Sequence, residues 1–130
     1  MVLMSRDISN PARRGRRLLI DVEREHGVCV LRCKGRFVSG IDPEYLEKKA
    51  EEIRGLNCGK VLLDLREVPQ IGSSGLSFIV GIYTSILRNP DGRFVLVGAH
   101  PRVRHVLELT RLDTVIPVAP DLAAGLEALR

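Results

Sequence analysis

Two adjacent hydroxyls, Ser73 and Ser74, lie between Gly72 and Gly75 in a setting where a serine can do chemistry. Before them runs Val61-Leu62-Leu63-Asp64-Leu65, a short and nearly continuous apolar run of the kind that forms a buried strand. After them comes a long apolar segment beginning at Leu76. The pair is therefore expected in the first turn of a helix. Backbone N–H groups lack intrahelical partners there, and the helix dipole is positive. A serine so placed either caps the helix or carries a phosphate at a spot already suited to an anion. The spacing leaves both open.

Other chemistries fit less well. Gly55-Leu56-Asn57-Cys58-Gly59-Lys60 resembles a phosphate-binding loop, but it is one residue short and has no Ser or Thr after the lysine. It also leads into a strand, whereas a Walker loop leads into a helix. Gly72-Ser73-Ser74-Gly75 is not a nucleophile elbow, because the second glycine comes one residue early. A triad of Ser73 or Ser74 with His26, His100 or His105 has no spacing to recommend it. Cys29 and Cys33 share one face of a predicted strand at a separation of about 13 Å, too far for a disulfide or a common metal. With Cys58 they are expected to be buried, reduced thiols of a cytoplasmic protein. No zinc-like spacing of His and Cys occurs. The chain is read as a non-enzyme without cofactor or metal.

The elements that must position the serines follow from periodicity. Leu18, Ile20 and Val22 alternate with Leu19, Asp21 and Glu23, as in a strand. Glu25-His26-Gly27 is a turn, and Val28 to Lys34 is a second strand, necessarily antiparallel to the first. Asp42 and Pro43 open a helix as N-cap and first residue, with Leu46, Ala50 and Ile53 at helical spacing and Gly55 at the end. Lys60 to Arg66 is a central strand. Ser74 to Arg88 is a helix apolar most of the way round, broken by a stripe of small residues, Ser77, Gly81, Thr84 and Ser85. The stripe is expected to pack within the fold, the alternative being a surface for a partner. Phe94 to Val97 is a strand, Pro101 starts a helix, and Thr114 to Val118 is a last strand placed at an edge by Pro117. Asp121 caps a final helix carrying Leu122, Leu126 and Leu129. The order β-β-α-β-α-β-α-β-α asks for an α/β fold: a mixed, mostly parallel sheet of about five strands with an N-terminal antiparallel hairpin, flanked by about four helices.

Composition bounds the rest. The chain has 130 residues, 45% of them hydrophobic and 28% charged, as in soluble globular domains. The net charge of +4 is carried by residues 1–17, where Arg6, Arg13, Arg14, Arg16 and Arg17 face only Asp7. Those residues are read as a flexible basic leader, and residues 18–130 as one neutral domain, not a basic nucleic-acid binder. No apolar run reaches the roughly 20 residues of a membrane helix, so membrane insertion is not expected. The apolar helix and its small-residue stripe leave room for a weak homodimer.

Several motifs together resemble those of STAS domains, most of all bacterial anti-sigma factor antagonists. They are Val61-Leu62-Leu63-Asp64-Leu65, Ile71-Gly72-Ser73-Ser74-Gly75-Leu76, Phe94-Val95-Leu96-Val97-Gly98, and the ending Leu107-Glu108-Leu109-Thr110-Arg111-Leu112-Asp113. The resemblance runs from about Leu18 to Leu129. It implies partner switching. An unmodified antagonist binds an anti-sigma factor that is itself a serine kinase, the kinase phosphorylates the antagonist beside a helix start, and a PP2C-type phosphatase reverses this. By position the acceptor would be Ser73, and the partner-binding set Gly72, Ser73, Ser74, Gly75 and Ser77. Two departures are present. Gly72 stands where such motifs usually carry Asp, which removes a carboxylate beside the acceptor and leaves a turn free to adopt positive φ. Gly35-Arg36-Phe37-Val38 replaces a segment that is commonly Gly-Glu-Leu-Asp. The alternative is a STAS adaptor or scaffold subunit of a signalling or transport complex that binds without phosphorylation.

Overall fold

A computed structural model describes residues 18–25, 27–36 and 43–130. The basic leader, His26, Phe37, Val38 and the expected cap Asp42 lie outside the described residues. Strands β1 (Leu19–Glu25) and β2 (Val28–Lys34) form an antiparallel hairpin with Leu19 opposite Lys34 and Glu25 opposite Val28. Gly27 sits in its turn at φ +80°, a conformation natural to glycine. Helix α1 (Pro43–Gly55) leads to β3 (Lys60–Glu67), α2 (Ser73–Leu87) to β4 (Arg93–Val97), and α3 (Pro101–Leu109) to β5 (Val118–Ala119). Helix α4 (Leu122–Ala128) follows the last strand. β2, β3, β4 and β5 pair in parallel, and the sheet order is β1-β2-β3-β4-β5.

This order decides where the helices go. Strands that advance across a sheet in one direction, with crossovers of one hand, place every crossover helix on the same face. Accordingly Ile53 of α1, Phe78, Ile79, Ile82 and Ile86 of α2, and Val103 and Leu107 of α3 share one core with Val61, Leu63 and Leu65 of β3. The opposite face buries Val28, Val30, Leu62, Val95 and Val97 beneath α4, through Leu122, Ala124 and Leu129. β3 is thus covered on both sides, which accounts for its unbroken apolar run. Leu126, expected with the inward set of α4, is exposed; Gly125 faces the sheet in its place.

Two expectations are corrected. Of the strand expected from Thr114 to Val118 only Val118 is strand: Thr114 ends a 3₁₀ turn, Leu112–Thr114, Val115 to Pro117 are turn and irregular chain, and a two-residue strand follows. Arg111 reverses the chain at φ +61°, and Pro117 has no N–H for a ladder; only its carbonyl takes part, accepting from Leu96 N at 2.9 Å. β5 is an edge strand, as Pro117 suggested. The second correction concerns the thiols. Cys29 pairs in a disulfide with Cys58, the Cα atoms 6.0 Å apart. Cys29 stands opposite Val61 in the parallel register, and Cys58 lies three residues before Val61 on the adjoining chain. Sequence spacing alone compared Cys29 with its strand neighbour Cys33 and passed over this cross-strand pair. Cys33 is free and buried. Burial, and then the nearby Asp64 charge, push its thiol far above the usual range, so it is inert as a nucleophile.

Helix α4 lies so close to the sheet that a Cβ on Gly125 would collide with Val97 Cγ1 and touch Leu62 Cδ1. Gly125→Ala gains about 1 kcal/mol of helix propensity but overpacks a filled site, at roughly 1–3 kcal/mol. The clash is expected to win. A lower urea midpoint with an unchanged m-value is the predicted result, read by far-UV circular dichroism.

Candidate functional site

β3 delivers its chain to the surface abruptly. Leu65 is fully buried, whereas Arg66 and Glu67 are exposed. Val68 N then donates to Leu65 O at 3.0 Å and closes a turn. The chain passes Ile71 and starts α2 with Gly72 as the N-cap residue, at φ −126° and ψ −163°. The positive φ that glycine permits at position 72 is not used; its backbone is ordinary extended chain. Ser73 is the first residue inside the helix, not the cap, which removes the capping role as an explanation for it. No side chain caps α2, and no acidic residue stands in its first turn. Gly72 O accepts from Leu76 N at 3.0 Å. The N–H groups of Ser73, Ser74 and Gly75 therefore have no acceptor within the helix.

Of the five residues assigned to partner contact, Ser73 and Ser77 are exposed, Gly72 and Ser74 are half-buried, and Gly75 is buried against the core. Ser73, Ser77 and Gly81 recur every four residues, so they form one line along the helix. That line borders a groove of about 520 Å³ between α1 and α2. Phe78 and Ile82 form its floor, Leu46 and Ala50 its far wall, and Glu47 and Arg54 add one charge of each sign to the rim. Open space lies beyond Gly81, with no atom within 4 Å of where a Cβ would stand. The small-residue stripe is thus a groove wall and not a seat for another element, contrary to the packing expectation. Thr84 stands apart from it, its hydroxyl donating back to Val80 O at 2.8 Å.

Sequence reasoning gave Asp64 no role. It is buried, at 4% exposure, and it is held by the residue two positions on. Arg66 N and Nε donate to Oδ1 at 3.0 Å each, and Nη2 donates to Oδ2 at 2.8 Å. Burial works to raise the Asp64 pKa. The Arg66 hydrogen bonds, with the Arg66 and Arg32 charges, outweigh it and keep the carboxyl below its ordinary value. The Arg66 stem lies across Gly98, which is at φ +68° and where any Cβ would strike Arg66 Cγ. The signal available in the sequence was Asp-x-Arg on a strand, a spacing that puts both side chains on one face.

The remaining candidates stay dispersed. His100 is the N-cap residue of α3 and His105 is exposed on that helix. The loop-like run from Gly55 to Lys60 connects a helix to a strand, with Asn57 at φ +55°. Among the described residues no group of His, Cys, Asp and Glu could hold a metal ion, and no helix is long and apolar enough to cross a membrane.

A five-stranded mixed sheet with helices on both faces and an exposed serine at the start of α2, on the rim of a groove, defines an α/β domain. The chain belongs to the STAS domain family, whose sequence pattern matches residues 20–125. It is similar to the anti-sigma F factor antagonist of Paenibacillus polymyxa, with 25% identity over 101 residues covering 78% of this chain and 86% of that protein. Among solved structures, an anti-sigma factor antagonist from Mycobacterium paratuberculosis is 27% identical at a TM-score of 0.77, covering 87% of this chain and 94% of the other. The phosphorylated form of the Bacillus cell fate determinant SpoIIAA, at 17% identity and a TM-score of 0.63, covers 86% and 100% and shares the fold.

The Asp64–Arg66 pair generates a pH prediction. A carboxyl whose folded pKa is depressed contributes stability above its unfolded value and loses it as pH falls through the folded value. The contribution is therefore present above about pH 4 and fades below it. Asp64→Asn is expected to cost roughly 1–3 kcal/mol at neutral pH and to flatten the acid limb of the stability–pH curve, measured by urea titration at several pH values.

Proposed function

We propose that this chain is a cytoplasmic bacterial anti-sigma factor antagonist that works by partner switching, with Ser73 as its phosphate acceptor. The observation that carries the reading is the position of Ser73: exposed, first in an uncapped helix, on the rim of the groove. The names of similar proteins support the class. Unmodified, the protein docks an anti-sigma factor over the α2 N-terminus and the groove, through Gly72, Ser73, Ser74, Gly75 and Ser77, and so releases a sigma factor. The bound partner is itself a serine kinase. The Ser73 hydroxyl attacks the γ-phosphorus of ATP, loses its proton, and ADP departs. A PP2C-type phosphatase hydrolyses the ester and resets the protein.

The local electrostatics suit such a switch. Phosphate adds about −1.5 to −2 charge and three acceptor oxygens. The free N–H groups of Ser73, Ser74 and Gly75 and the positive end of a fifteen-residue helix stabilise that charge. The domain stays folded while the partner meets a new anion where it packed. Like charge or desolvation at an interface costs several kcal/mol, and each ~1.4 kcal/mol is tenfold in affinity. Gly72 favours a second reading, since no carboxylate stands beside the acceptor: an adaptor or scaffold subunit that binds through the same groove and is never phosphorylated.

Incubation with the cognate kinase and ATP is expected to add one phosphate to the wild-type chain and none to Ser73→Ala, by intact mass. Ser73→Asp should weaken partner binding by roughly a hundredfold or more with an unchanged thermal melt. Ser73→Ala should retain binding and lose less than about 0.5 kcal/mol of stability, because Ser73 caps nothing. An unmodified wild type that still binds the partner would favour the adaptor; a phosphate that survives Ser73→Ala would move the acceptor elsewhere.

A further inference from the structure

We infer that Cys29 and Cys58 form a reversible disulfide that fastens the chain just past α1 to the start of β2 and thereby holds one wall of the groove. The inference concerns this chain alone and stands whether or not Ser73 is phosphorylated. Cys29 is the second residue of β2 and is fully buried; Cys58 is 8% exposed, three residues past the end of α1. Their Cα separation of 6.0 Å lies within the 4.4–6.8 Å that a disulfide bridges. Asn57, at φ +55°, turns the chain so that Cys58 faces inward. Asn is one of the few side chains that tolerate this conformation.

The staple adds to a modest packing of α1, whose Tyr45, Leu46 and Ala50 rest on the core only partly buried. Of its thirteen residues only Ile53 is buried. At its other end the Tyr45 hydroxyl accepts a hydrogen bond from Ile20 N of β1 at 2.9 Å. Cys58 follows the last turn of this helix, where Leu56 N and Asn57 N donate to Glu52 O and Arg54 O at 3.1 Å each. A covalent link here closes a loop across a sequence separation of 29 and constrains the unfolded chain as well as the helix end.

The chemistry balances with a low-molecular-weight disulfide as the oxidant. Cys58, the nearer to solvent, loses its proton and attacks one oxidant sulfur, forming a mixed disulfide and releasing one thiolate. The Cys29 thiolate then displaces the second, giving the internal bond. Two protons and two electrons leave the protein, and the oxidant departs as two thiols. A dithiol reductant runs the sequence backwards. Cys33 takes no part, because it lies four residues along the same strand from Cys29, about 13 Å away.

The test uses the full chain equilibrated with glutathione disulfide or with dithiothreitol, then denatured and alkylated before mass analysis. The oxidised sample is expected to take one label, on Cys33, and the reduced sample three. Thermal denaturation should show a midpoint lower by on the order of 10 °C after reduction. Amide hydrogen exchange should run roughly tenfold or more faster along α1 in the reduced form. Cys58→Ala, a change near the surface, should fold and show the fast α1 exchange under both conditions; Cys33→Ala should keep the redox response. Three labels on the protein equilibrated with glutathione disulfide would overturn the inference. Equal α1 exchange in the oxidised and reduced forms would also overturn it.

Discussion

Burial of β3 on both faces is the constraint on which the rest of this molecule depends. Val61, Leu63 and Leu65 lie under three helices, and Leu62 lies under the fourth. A strand covered in this way has no room for an unpaired charge, yet Asp64 sits in it almost wholly shielded from solvent. It is tolerated because Arg66 meets it with backbone and guanidinium donors while keeping its own charge half in water, with 52% of its side chain exposed. The pair marks where the strand leaves the core. Beyond it the chain is exposed within one residue and turns at once toward α2. The location of Ser73 is thus set by the best-buried part of the sheet and not by a wandering loop.

The start of α2 then presents a contrast within the same fold. Helix α4 begins with Asp121, whose carboxylate accepts from Ala124 N at 2.8 Å. Helix α2 begins with Gly72 and leaves its first amides to solvent. With glycine at the N-cap the missing side-chain cap costs roughly a few tenths of a kcal/mol, and α2 can bear that cost. It buries Gly75, Phe78, Ile79, Ile82 and Ile86, each aliphatic or aromatic member of that set contributing roughly 1.5–3 kcal/mol. Stability therefore comes from the middle of the helix, and its N-terminus is left free to answer to other demands. An uncapped, acid-free helix start next to an exposed hydroxyl has an electrostatic preference for an anion, whether a phosphate on Ser73 or an acidic group of a docked protein.

Much of this was legible in the residues. The continuous apolar run of β3, the alternation in β1 and the Asp121 cap each had a single physical reading, and the fold follows them. The last strand was misread because Pro117 and the apolar residues around it suit an edge strand, while the reversal at Arg111 has no sequence signature: arginine rarely takes positive φ, and it does so here with its N–H donating to Glu108 O and its carbonyl accepting from Thr114 N and Oγ1. The disulfide escaped for a different reason. Spacing along one strand is visible in a sequence, but the register that sets Cys29 opposite Val61 is a property of two strands. At the site, the serine pair announced itself through its glycines. Which serine was inside the helix, and that Gly72 needed no unusual φ, depended on one residue of offset that periodicity cannot resolve.

The two walls of the groove are held by different means. α2 is fixed by five core residues along its length, the first of them Gly75, two residues past Ser73. α1 has Ile53, the partly buried Tyr45, Leu46 and Ala50, one tyrosine hydroxyl bond and the covalent link beyond its last turn. Its polar residues Glu47 and Arg54 border the same groove. The groove thus lies between a helix with five buried residues and one with a single buried residue, and the exposed Ser73 and Ser77 stand on the better-buried of the two.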